Sequence, residues 1–531
     1  MLGKDWQGVV GTNLSVPETF NFVADVLQPR AEQFPDQIAM ICVGSDGVES
    51  CWTYRQVLQS VQRIAAALLH RGITQGDRII LFLPRSPLWM LTMAACHLIG
   101  VIPVPCVTQI SASEVAYRVR RSGARGVVTV AEFTDRFTEV IDQLDLKWCR
   151  GQAAGWNDVQ EILASDWPIP EPACMPADAP ALMYFTSGSS GLPKAVVHAA
   201  RGVFVRSWQP WHMFDTSSAD VIWTTSDTGW TRFGSCLLYG AWFWGATALI
   251  VEPNLKPEEK VQALAKYGVT IFSAVSTELR QILTSAKPMA LPALKFTVSA
   301  GEAMTATLSR DWARFSGVPL LVAYGQTETP QCTITSTDTR PENGMIGRPM
   351  PGNVVTAVRE DGTPCAPGEH GQLAVRGDNK GLMLGYWQDG VITRDFTDKG
   401  WHFTGDAAYV DEGNEIFFLG RTDDIISSSG YRIGPTEVEN ALLGHPAVRE
   451  CAVTGAPDAL RGEVVKAHIV LEPGFSPSEA LIKELQDHVK ASIAPYKYPR
   501  QVAFLDALPK TPSGKVSRRL LREEPARLSA G

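Results

Sequence analysis

Short runs of apolar and β-branched residues recur along this chain, with helical periods between them. Residues 78–83, 126–130, 221–225, 270–273 and 296–299 read as strands, and 54–69 as a helix with Val57, Leu58, Val61, Ile64, Ala65 and Leu68 on one face. Strands alternating with helices predict parallel sheets covered by helices, an α/β architecture. A chain of 531 residues also exceeds what one core supports, since cores stop growing beyond about 250–300 residues, so two or more domains are expected.

From about 354 to 418 the helical periods thin out and turns multiply, at Asp361-Gly362, Pro367-Gly368 and Glu412-Gly413, which predicts a β-rich subdomain spanning about 350–422. Beyond Asp423 the order becomes a short strand, a helix beginning near 435–440, strands at 450–455 and 464–471, and a helix over 477–493. We therefore expect a large N-terminal domain (1–422) of helix-covered sheets and a small α+β C-terminal domain (423–531). Residues 88–107 are uncharged and long enough to be weighed as a membrane span. His97, Gly100, Pro103 and Pro105 make a buried helix followed by a buried strand the better reading. Residues 235–251 are shorter, are split by Gly240 and Gly245, and read as interior too.

The chemistry begins at YFTSGSSGLPKAVVH, residues 184–198. Thr186, Ser187, Gly188, Ser189, Ser190, Gly191 and Lys194 follow an apolar run that reads as a strand. Such a loop brings backbone N–H groups and hydroxyls close to one anion, which suits nucleotide phosphates. It is neither a Walker A loop, because Pro193 precedes the lysine, nor a Rossmann fingerprint. Three further islands supply what a phosphate loop needs beside it. YGQTET (Tyr324, Gly325, Gln326, Thr327, Glu328) offers a carboxylate for Mg²⁺. TGD and GRTDD offer Asp406 for ribose hydroxyls and Arg421 for ribose or phosphate oxygens. PSGK near the C-terminus sets Lys515 on a turn.

Net charge is −8 with no long basic run, which argues against nucleic acid as a partner. The ten cysteines never form a CxxC pair and fit reduced thiols better than disulfides or zinc. The first ten residues lack the apolar core of a signal peptide and the Arg-rich pattern of a transit peptide. A cytoplasmic enzyme without a membrane span is expected, monomeric or homodimeric.

Together these islands resemble the core motifs of the adenylate-forming superfamily of acyl-CoA synthetases, luciferases and peptide-synthetase adenylation domains, from about residue 20 to 522. FNFVADVL, SDTGW (226–230), SAGEAM (299–304) and GRTDDIISSSGYRIGPTEVE are most similar to the medium-chain acyl-CoA synthetases. Luciferase-like and coumarate-ligase-like members usually carry Phe-His where this chain has Asp227-Thr228-Gly229-Trp230. The resemblance implies that ATP and Mg²⁺ convert a carboxylic acid to an acyl-adenylate, and that coenzyme A then takes the acyl group. Residues 186–194 would hold the β- and γ-phosphates and Glu328 the Mg²⁺, with Thr186 and Glu328 counted among the catalytic groups. Lys515 would bridge the substrate carboxylate and the α-phosphate. Gly301 and Glu302 would lie by the adenine, Asp406 and Arg421 by the ribose, and Arg432 would approach the nucleotide phosphate during thiolation.

A mobile C-terminal domain turning about Asp423 is implied as well. Ser429, Gly430 and Tyr431 would line the pantetheine tunnel, and Gln109, Arg461, Lys490, Tyr498, Pro499 and Arg500 would contact CoA. Trp230, Tyr324, Gly325 and Thr327 would shape the pocket of a medium-chain fatty, branched or aromatic acid. The segment 194–211 departs from the familiar pattern, which leaves His198 without an assigned part. Short-chain (acetyl or propionyl) activation, and adenylation that loads a carrier protein, are the alternatives.

Overall fold

The computed structural model describes residues 15–164, 166–186, 192–302, 304–339, 341–428, 431–458, 460–510 and 516–523. Its largest element is a thirteen-stranded sheet. Parallel strands Ile38–Val43, Thr247–Val251, Val221–Thr224, Ile271–Ser273, Phe296–Ala300 and Leu320–Gly325 lie side by side within it. After Leu320–Gly325 the pairing turns antiparallel, and strands Gln331–Ile334, Met345–Pro349, Ile416–Arg421, Trp401–Val410, Gly371–Arg376 and Val355–Val358 extend the same sheet. The turn-rich segment is thus hydrogen-bonded edge to edge with the parallel strands. A second, parallel sheet contains Ile102–Pro105, Arg78–Leu81, Gly126–Val130, Leu146–Arg150 and Asn157–Asp158.

Local chemistry explains why the elements stop where they do. Helix Tyr54–His70 opens on a capping box in which the Thr53 hydroxyl accepts from Gln56 N at 3.3 Å and Gln56 Oε1 accepts from Thr53 N at 2.9 Å. Its Val57, Val61, Ile64, Ala65 and Leu68 are buried, as the sequence period predicts. Burying each of the four larger side chains contributes about 1.5–3 kcal/mol. The uncharged stretch 88–107 is a helix, Pro87–Leu98, followed by strand Ile102–Pro105. Among the described residues that strand pairs only with Arg78–Leu81, so Pro103 and Pro105 sit at a sheet edge, where a missing N–H is tolerated. No helix among the described residues is long and apolar enough to cross a membrane.

A third sheet positions the glycine- and serine-rich segment. Strands Pro180–Thr186 and Lys194–Ala199 are antiparallel partners, with Thr186 directly opposite Lys194, and Gly385–Gln388 continues the sheet on the far side of Lys194–Ala199. The run after Lys194 is therefore a strand as well. Past Arg421 a short helical turn, Thr422–Asp424, leaves the large sheet, and Ile426–Ser428 enters a separate one with Tyr431–Ile433, Val448–Asp458, Gly462–Leu471 and Gln501–Phe504. Helices Pro435–Leu442 and Glu479–Ser492 pack on it around Val438, Leu442, Leu485 and Val489.

Candidate active site

Three strand ends converge at the mouth of the hairpin. Thr186 closes one strand and Lys194 opens the next, while the intervening Ser187, Gly188, Ser189, Ser190 and Gly191 lie outside the described residues. Tyr386, opposite Val196 on the neighbouring strand, lies with its ring 5.0 Å beneath the Lys194 ammonium. Its hydroxyl donates to Glu328 Oε1 at 3.1 Å. Burial, reinforced by the Glu328 charge, pushes the Tyr386 phenol up, so it stays a donor. Among the described residues no donor reaches the other Glu328 carboxylate oxygen. A carboxylate with one oxygen anchored and one without a donor among the described residues, beside the hairpin mouth, fits Mg²⁺ held by a single protein ligand plus ligand oxygens and water. No cluster of three or more His, Cys, Asp or Glu among the described residues offers a closed cage instead.

The hydrogen bond predicts a modest effect. Tyr386→Phe keeps the ring under Lys194 but loses a bond to a charged group, worth about 1.5–3 kcal/mol. Steady-state kinetics with MgATP should show a fall of roughly tenfold to a hundredfold in kcat/KM for the nucleotide; an unchanged value would remove Tyr386 from the site.

Asp406 is a second focus. It lies in mid-strand directly opposite Arg421 and is buried. Its Oδ2 accepts from Tyr324 Oη and from Gln326 Nε2, the latter at 3.0 Å, and its Oδ1 accepts from Arg421 Nη1 at 3.1 Å. Burial pushes the carboxyl above its usual range, opposed by Tyr324, Arg421 and Gln326, which all favour the charged form. Gly405 is required beside it: its φ is +71°, and a Cβ there would lie 2.7 Å from Arg421 Nη2. Tyr324, Gln326, Asp406 and Arg421, chosen from separate motifs, therefore form one hydrogen-bonded group.

SDTGW is a positioning turn. Asp227 accepts from Thr108 Oγ1 at 3.1 Å and from Gly229 N at 2.9 Å, and the Thr228 hydroxyl donates to Leu83 O at 2.6 Å. A Cβ on Gly229 would lie 1.9 Å from Val107 N, so the turn presses directly on the chain before Gln109. Trp230 N then donates to Asp227 O at 3.1 Å, which orients the half-buried indole. The nearby aromatic run Trp242, Phe243 and Trp244 belongs to the large core instead; Trp242 donates to Ala39 O and Trp244 to Ser207 O. Glu302 accepts from Thr277 N and Oγ1 at 2.9 and 3.0 Å, which ties Gly301 and Glu302 to the start of helix Ser276–Ser285.

His198 is fully buried under the Thr327 main chain. Arg206 Nη2 stands 3.3 Å from its Nδ1, and burial together with this guanidinium holds the imidazole far below its usual pKa and therefore neutral. It has no access to solvent for proton exchange.

The residues expected at CoA divide into groups. Lys490 Nζ and the Arg500 guanidinium flank the Tyr498 ring at 4.5 and 4.7 Å, and Arg500 donates to Tyr498 Oη at 2.7 Å, with Pro499 buried between them. Lys490 also pairs with Asp487 at 2.8 Å. Tyr431 is exposed and stacks on Tyr496 at 4.2 Å between centroids. Gln109 and Arg461 are exposed. Ser429, Gly430 and Lys515 lie outside the described residues, and for Arg432 only its place opposite Ser427 is described. At the sheet-to-sheet crossing Asp423 is 62% exposed and, among the described residues, pairs with Arg421 alone, at 3.6 Å, whereas the next residue, Asp424, is gripped by Arg518 at 3.4 Å and by Arg522. Sequence reasoning missed Tyr386, Arg206 and Arg232; each lies outside a motif, and only tertiary placement reveals it.

The chain matches the family model described as AMP-binding enzyme over residues 27–387 and that of the AMP-binding enzyme C-terminal domain over 437–515. It is 36% identical over 543 residues to human "Acyl-coenzyme A synthetase ACSM3, mitochondrial", covering 96% of this chain and 90% of that relative. It is 34% identical to "Uncharacterized acyl--CoA ligase YtcI" of Bacillus subtilis (strain 168), with 98% of both chains covered. Among solved structures, a benzoate CoA ligase from Burkholderia xenovorans LB400 superposes with a TM-score of 0.83 at 26% identity, over 95% of this chain and 100% of that one. The chain belongs to the AMP-binding enzyme family. Within it the chain is an acyl-CoA synthetase, a ligase that activates a carboxylic acid with ATP and passes the acyl group to CoA.

Proposed function

We propose that the acid is a medium-chain fatty, branched or aromatic one, and that the residues described above divide the two half-reactions between them. A carboxylate oxygen attacks the α-phosphorus of ATP, the bond to the bridging oxygen breaks, and pyrophosphate leaves. This step needs positioning and neutralisation of charge more than covalent help. The hairpin mouth from Thr186 to Lys194 binds the β- and γ-phosphates, and Lys515 stabilises charge at the α-phosphate and the incoming carboxylate. Glu328, anchored by Tyr386, would hold Mg²⁺, which supplies charge neutralisation at phosphate oxygens when bound. Asp406 and Arg421 hold the ribose, and Gly301 and Glu302 flank the adenine. In the second step the CoA sulfur attacks the acyl carbon, the thiol proton departs and AMP leaves. Tyr431, Lys490, Tyr498 and Arg500 serve this step on the small domain, which turns about residues 422–424 with Asp423 as the hinge.

The observation that carries this reading is the meeting of Thr186, Lys194, Glu328 and Tyr386, from three distant segments, at one hairpin mouth. A cytoplasmic location agrees with ten free cysteines. The test is CoA-dependent AMP formation with ATP and Mg²⁺ across acids from acetate to dodecanoate plus benzoate. A maximum at intermediate length or at the aromatic acid is expected; a maximum at acetate would make this a short-chain enzyme.

A further inference from the structure

Two residues beyond Trp230, the chain carries a cation, Arg232, that forms no ion pair among the described residues. Arg232 Nη2 donates to the Ala300 main-chain oxygen and stands 3.1 Å from where a Cβ on Gly301 would lie. The acidic groups whose charge reaches it are Glu302 and Glu278. Both are committed elsewhere, Glu302 to Thr277, and Glu278 to Lys260 at 2.6 Å and to the Thr225 hydroxyl. Among the described residues Arg232 forms no ion pair. Among the described residues its Nε and Nη1 have no hydrogen-bond acceptor, yet neither is sealed from solvent as the orphaned Nε atoms of Arg30 and Arg206 are. The side chain keeps accessible surface although the site is deep enough for burial to lower its pKa. Its remaining donors are therefore open to a ligand.

Arg232 thus stands between Trp230, which the family resemblance places at the acyl pocket, and the Ala300–Gly301 main chain, and the inference rests on that placement within the proposed function. A wholly apolar acyl chain there would strip water from the guanidinium and give nothing in return, an expensive arrangement. A carboxylate would instead complete a bidentate, charge-assisted pair with the free donors. We infer that Arg232 reads a second carboxylate on the acid, so that the substrate class is a medium-length or aromatic dicarboxylic acid activated at one end only.

The test compares matched pairs in the full-length enzyme: butanoate with succinate, hexanoate with adipate, octanoate with suberate, and benzoate with its three carboxy-benzoates. In the wild type, at least one dicarboxylic acid should exceed its partner tenfold or more in kcat/KM. Arg232→Leu should lower that acid about a hundredfold and raise the monocarboxylic partner, the discrimination expected when a site built for a polar group loses its complement. Arg232→Lys should retain part of the preference, with ATP KM unchanged in both variants. Preference for the monocarboxylic acid in every wild-type pair overturns the inference, as does an equal loss for both acids in Arg232→Leu. The wild-type comparison decides even where a variant fails to fold. Absence of turnover with every acid would overturn the proposed function itself, a separate outcome.

Discussion

Asp406→Asn weakens ATP binding by about a hundredfold and lowers the melting temperature. Three donors converge on this buried carboxylate, from Tyr324, Gln326 and Arg421. An amide has one oxygen and one NH₂, so whichever way it turns, an N–H meets a donor that had an acceptor before. Breaking a buried charge pair by removing one partner costs about 3–5 kcal/mol, and retaining an acceptor in Asn softens this. A loss of about 2.8 kcal/mol corresponds to a hundredfold in affinity. Calorimetric titration with ATP and thermal unfolding read the two effects separately. Wild-type ATP affinity in a folded Asp406→Asn protein would remove this residue from the nucleotide site.

Lys515→Ala abolishes adenylate formation while thiolation of a supplied acyl-adenylate continues. In the proposed first step Lys515 stabilises the charge that builds at the α-phosphate as the carboxylate attacks, and losing one well-placed stabilising group costs about a hundredfold to a thousandfold in rate. The thiol attacks an acyl carbon that is already activated, a step to which the proposed function assigns this lysine no part. Pyrophosphate release from acid and ATP, measured beside CoA consumption from synthetic acyl-adenylate, separates the two. Equal loss of both would contradict the assigned role.

Much of the fold is legible in the sequence because period and burial agree. The helix from Tyr54 and the strand at Gly126–Val130 follow from apolar spacing, and the helix–strand reading of 88–107 from its apolar run interrupted by Gly100, Pro103 and Pro105. The strand after Lys194 is not legible, since AVVHA carries no alternation between buried and exposed positions and all five residues are buried. Nor does the turn pattern of 354–418 disclose that its strands extend the sheet begun by the parallel ones. That depends on Leu320–Gly325 pairing with Gln331–Ile334, a tertiary outcome. At the site, sequence picked Tyr324, Gln326, Asp406 and Arg421 from three motifs without knowing that they touch. Tyr386 escaped because nothing local marks it; its role comes from register with Val196 and the approach of Glu328. Arg232 escaped for the opposite reason. A charged residue after a tryptophan reads as surface, and only its missing ion partner makes it informative.

The central claim is a two-step reaction in which CoA enters only after pyrophosphate has left. Rapid mixing of enzyme, ATP, Mg²⁺ and a turned-over acid without CoA, followed by a second mixing with CoA, tests it most directly. The account predicts a burst of one pyrophosphate per active site before CoA arrives, with AMP and acyl-CoA appearing together only afterwards. Absence of pyrophosphate until CoA is added, or AMP release at the same rate without it, would contradict the account.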